Sequence, residues 1–83
     1  MNEEYLNRVK IFLAQELPAY RGAVSVSGGK LVFRVPEGRA FQPYYDAVFA
    51  AVNGCIARIR NRECDLDFSV QSAVQERDFK IGK

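Results

Sequence analysis

With 83 residues the chain makes one domain, of a size where burial only just exceeds the entropy lost on ordering the backbone, and a deep substrate pocket is not expected unless it forms between subunits. A hydrophobic content of 48% with only three prolines excludes disorder, while twelve Lys plus Arg against ten Asp plus Glu, a formal net charge of +2, is a weak footprint for a nucleic-acid binder. No apolar run is long enough to span a bilayer and no charged segment followed by an apolar one opens the chain, so a soluble, cytoplasmic protein without membrane partners is expected.

The spacing predicts a first helix over Asn2–Leu17. Asn2 suits the N-cap, Glu3 and Glu4 favour the first turn, and Tyr5, Leu6, Val9, Phe12, Leu13 and Leu17 recur at helical spacing until Pro18 forces an exit. Ile11 falls off that stripe. After a connector over Pro18–Gly22, Ala23–Ser27 and Lys30–Val35 both alternate, and Gly28-Gly29 between them supplies the positive φ that a two-residue primed turn needs. With those glycines as the loop, Val26 faces Leu31 and Val24 faces Phe33, so the apolar pairs share one face. A one-residue slip would scatter them. Ser27-Gly28-Gly29-Lys30 has the composition of a phosphate loop, but it lacks the GxxxxGK[ST] spacing and leads into a strand, whereas a phosphate cradle feeds a helix.

Pro36-Glu37-Gly38-Arg39 turns the chain into the longest periodic stretch, a helix predicted from about Gln42 to about Asn61. Phe41, Tyr44, Tyr45, Val48, Phe49, Val52, Cys55, Ile56 and Ile59 form its broad apolar stripe. Pro43 suits the first turn, Asp46 lies toward the positive end of the dipole, and Arg58, Arg60 and Arg62 toward the negative end. The opposite side is nearly bare. Ala47, Ala50, Gly54 and Ala57 fall together there, and Gly54 costs about 1 kcal/mol against alanine in a helix interior. Small side chains allow another backbone to approach, so these four are the candidate partner-binding residues; the plainer reading is alanine as a good helix former with one tolerated glycine.

A third strand is predicted over Asp65–Val70, with Leu66, Phe68 and Val70 on one face, and a short fourth over Asp78–Ile81 hairpinned onto it. The whole, residues 1–83, reads as a single α+β domain, a two-layer sandwich in α-β-β-α-β order with two helices on one face of a small antiparallel sheet and the brief C-terminal strand added. The long helix makes the second and third strands point the same way, so placing the third beside the first yields strand order two, one, three. The other face then shows Ala23, Ser25, Lys30, Val32, Arg34, Asp65, Asp67 and Ser69.

No reactive constellation stands out along the chain. Histidine is absent, Cys55 lies on the apolar stripe and Cys64 past the helix end without a CxxC, so both thiols are expected free; Arg60 and Arg62 before Cys64 favour its thiolate, but no base accompanies it. Asp65 and Asp67 share a strand face without the loop or third carboxylate of a cation site. No catalytic residue, metal or cofactor is therefore assigned. The expectation is a small non-enzymatic binding or regulatory protein working through protein–protein contacts, an inhibitor or adaptor of a larger complex and possible as a homodimer. Second in rank stands a nucleic-acid-binding module using Lys30 and Arg34 on the sheet and Arg58 and Arg62 on the helix, with Tyr20 as the one loop aromatic for stacking.

Overall fold

A computed structural model describes residues 3–59 and 64–82. Helix α1 (Glu3–Glu16) is followed by a 3₁₀ turn (Pro18–Tyr20), strands β1 (Val24–Ser27) and β2 (Lys30–Arg34), helix α2 (Phe41–Ile56), and strands β3 (Leu66–Gln71) and β4 (Glu76–Ile81). Leu17 still closes a helical bond to Leu13 before Pro18 ends the run. The expected cap at Asn2 lies outside the described residues, as do Arg60, Asn61 and Arg62.

The hairpin keeps the register set by its turn. Gly28 and Gly29 have φ of 58° and 78°, and Val24 pairs Phe33, Ser25 pairs Val32, Val26 pairs Leu31 and Ser27 pairs Lys30. Strand order is where the expectation fails. The order is β1-β2-β3-β4, with β3 parallel to β2 rather than beside β1, so the four-stranded sheet is mixed. The tail pairs over its full six residues, antiparallel to β3. Burial explains this order: Leu31, Phe33, Leu66, Phe68 and Val70 are wholly buried, whereas β1 contributes only Val24 and the half-buried Val26. The two most apolar strands therefore take the centre, where each is flanked on both sides.

Both helices cover one face of the sheet. Leu6, Val9 and Leu13 from α1 and Tyr44, Tyr45, Val48, Val52, Cys55 and Ile56 from α2 join the inward side chains of the strands in one core. Helix α2 stops at Ile56, short of the expected end near Asn61, because Arg58 N–H and Ile59 N–H bond to Cys55 and Ile56, a 3₁₀ tightening of the last turn. Two further expectations change. Phe49 was placed on the core stripe but is 43% exposed, since its edge of the stripe overhangs only the outermost strand. Ser69 sits on the open face yet is fully buried, flanked by Val32 and Asp78 in the neighbouring strands and bonded by Gln71 Nε2 at 3.2 Å.

Candidate interaction surface

The solvent side of α2 follows from its angular period. With Val48 and Val52 fully buried beneath, Ala47, Ala50, Gly54 and Ala57 emerge on the far side, and all four are exposed. The polar groups among them are engaged within the helix: Gln42 Nε2 donates to Asp46 Oδ1 at 2.8 Å, and Asn53 Nδ2 donates to the Phe49 carbonyl at 2.7 Å. A Cβ placed on Gly54 would meet nothing within 4 Å. The missing side chain at Gly54 is therefore not demanded by packing inside the chain. Ile11, the residue off the α1 stripe, is also exposed.

On the flank of α2 toward β4 lies an aromatic column that periodicity alone did not reveal. Phe41, Tyr45 and Phe49 stack one turn apart, with centroids 6.2 and 6.0 Å apart. Phe79 of β4 lies flat on Phe68 at 5.0 Å and meets Phe49 edge-on at 5.0 Å, so the column runs from the core out to Phe49 in solvent. Beside it the Arg77 guanidinium sits 4.7 Å above the Tyr45 ring and donates to Gln42 Oε1. The signal was readable as i, i+4, i+8 aromatics, but Phe79 joins them only because β4 pairs with β3.

Of the basic candidates, the three described ones divide between the two layers. Lys30 and Arg34 lie on the open sheet face, where Lys30 Nζ reaches across β3 to Asp78 Oδ2. This contact raises the Lys30 ammonium above its ordinary range, and bonds from Lys30 and then Ser69 hold the Asp78 carboxyl below its own. Arg58 stands in the other layer, bonded to Glu16 Oε1 at 2.8 Å and 3.7 Å from the Cys55 sulfur, and Arg62 lies outside the described residues. Tyr20 is packed edge-on against Phe33 and Tyr44, each at 5.8 Å, rather than offered for stacking.

An opening of about 570 Å³ lies at the carboxyl ends of the parallel strands β2 and β3, between the turn into α2 and the β3–β4 hairpin; Arg34, Arg39, Phe41 and Val74 are among its walls. Only the true strand order creates it, by bringing those two ends together. Arg39 lies 5.7 Å from the Tyr44 ring, whose hydroxyl is pushed up from its ordinary range by burial first and by Tyr20 next. Among the described residues no three His, Cys, Asp or Glu side chains gather as metal ligands, Cys55 is buried and Cys64 half-buried with neither in a disulfide, and no helix is long and apolar enough to cross a membrane.

The fold is thus a two-layer α+β domain, two helices on a four-stranded mixed sheet. No protein-family model, curated protein or solved structure matches it.

Proposed function

We propose that this is a small non-enzymatic binding or regulatory protein that acts through protein–protein contacts, as an inhibitor or adaptor of a larger complex, with the solvent side of α2 as its contact surface. Gly54 carries the reading. A glycine inside an exposed helix turn weakens the helix, and none of the described residues occupies the space above it. Ala47, Ala50 and Ala57 extend that low surface, over which a partner helix or strand approaches closely. The nucleic-acid reading is the weaker one, because Lys30 and Arg58 lie in different layers and each is already bonded to a carboxylate.

The test is affinity capture of the tagged protein from its own cell lysate, with nuclease treatment and with the variants Ala50→Glu and Gly54→Lys. A protein partner retained after nuclease and lost in both folded variants is the expected result. Retention by both variants removes this face, and loss with nuclease transfers the reading to nucleic acid.

A further inference from the structure

Strand β4 ends the sheet, paired with β3 along one edge and bordered by no further strand among the described residues. The hairpin that leads into it reveals which backbone groups point outward. Ser72 N–H donates to the Gln75 carbonyl at 2.8 Å, and alternation along the antiparallel ladder from that bonded pair turns Arg77, Phe79 and Ile81 toward β3. Glu76, Asp78 and Lys80 are left with N–H and C=O directed away from the sheet. Such an edge is a template for another strand, and its side chains decide which strand fits.

We propose that this edge pairs with β4 of a second copy, antiparallel and centred on Phe79, joining the two four-stranded sheets into one. Residues directly opposite in an antiparallel pair share a face, so Phe79 meets its own counterpart on the helical side. Asp78 then lies opposite Lys80 of the other copy on the open side, and the twofold axis repeats that pair. No other register joins Phe79 to Phe79. Centring on Asp78 pairs Glu76 with Lys80 of the other copy but sets Asp78 against Asp78 on the axis and Phe79 against Arg77, centring on Lys80 opposes Lys to Lys, and centring on Arg77 opposes Arg to Arg and Glu76 to Asp78. An odd shift turns the helices of the two copies to opposite faces and sets Phe79 against a charged side chain. Charges that oppose indiscriminate edge pairing thus permit one self-complementary register.

The surroundings agree with that occupant. Phe79 is only half-buried, and the Phe49 ring that overhangs it is 43% exposed, so a second copy covers both. Asp78 is held in place by Lys30 and Ser69 while its side chain remains 45% exposed, which leaves carboxylate capacity for a further donor. This inference uses β4 and not the solvent side of α2, so it stands apart from the function proposed above.

The experiment is sedimentation velocity over a concentration series on the wild type, Lys80→Glu, Asp78→Lys, an equimolar mixture of these two variants, and Gly54→Lys, with circular dichroism confirming that each is folded. The wild type should move toward dimer mass with concentration. Each variant places like charges at both symmetry-related pairs and should raise the dissociation constant by about tenfold. Mixing restores association, because each variant then offers the other opposite charges at both positions. A wild type that stays monomeric, a dimer indifferent to both variants, or a mixture that fails to associate overturns the proposal; a dimer lost only in Gly54→Lys would instead belong to α2.

Discussion

The two edges of this sheet are built differently. Strand β1 is short, its Val24 is buried and α1 packs against it, although no further strand borders it among the described residues. Strand β4 runs longer, exposes Glu76, Arg77, Asp78 and Lys80, and receives from α2 the flank carrying Tyr45 and Phe49 against Phe79. The two edges thus differ in length and in side chains, and β4 is the one lined by charged residues.

The contrast should be clearest in the energetic cost of removing one ring from each half. Phe33→Ala, on the central strand β2 and fully buried against Tyr20 and Phe68, should lower unfolding free energy by about 3–5 kcal/mol, whereas Phe79→Ala, half-buried on the edge strand β4, should cost roughly half as much. Urea titrations of both variants measure this, and equal costs would mean that Phe79 at the edge is packed as tightly as Phe33 in the middle of the sheet. A smaller loss tests the hairpin that sets the β1 register: Gly28→Val, at a φ of 58°, should cost about 1–2 kcal/mol by the same titration. A cost near zero would show that the β1–β2 register does not depend on that turn.

Gly54→Ala should act in the opposite direction, gaining about 0.5–1 kcal/mol in thermal or urea unfolding, because the new methyl enters open space. A loss would reveal packing at that face. The smallest effect belongs to the Lys30–Asp78 pair, whose side chains are both partly exposed. Asp78 is depressed in the folded protein, so its contribution is present above the carboxyl's unfolded pKa and fades as pH falls through the lower folded value. Lys30 is raised, so its contribution is present below the ordinary lysine value and fades as pH climbs through the higher folded one. Melting curves of wild type and Asp78→Asn should therefore separate at neutral pH and converge in acid; curves that run parallel would break the assignment.

How much of this was legible beforehand depends on the reach of each interaction. The candidate face of α2 was readable at Ala47, Ala50, Gly54 and Ala57 because angular period is a local property of a helix. The aromatic overhang at Phe49 was not, because a residue on the margin of an apolar stripe is buried or exposed according to what lies beneath it. The Lys30–Asp78 bridge was equally invisible, since it joins strands that become near neighbours only through β3.

Local physics alone determined both helices and the β1–β2 register: side chains repeating each turn, a proline that ends α1, and two glycines whose positive φ permits only one tight reversal. The order of strands was decided by the assembled core. Direction along the chain made β3 parallel to β2 but did not choose its neighbour; burying Leu31, Phe33, Leu66, Phe68 and Val70 away from water on both sides did. That choice left β4 on the rim, and with it the surface on which a second copy is proposed to dock.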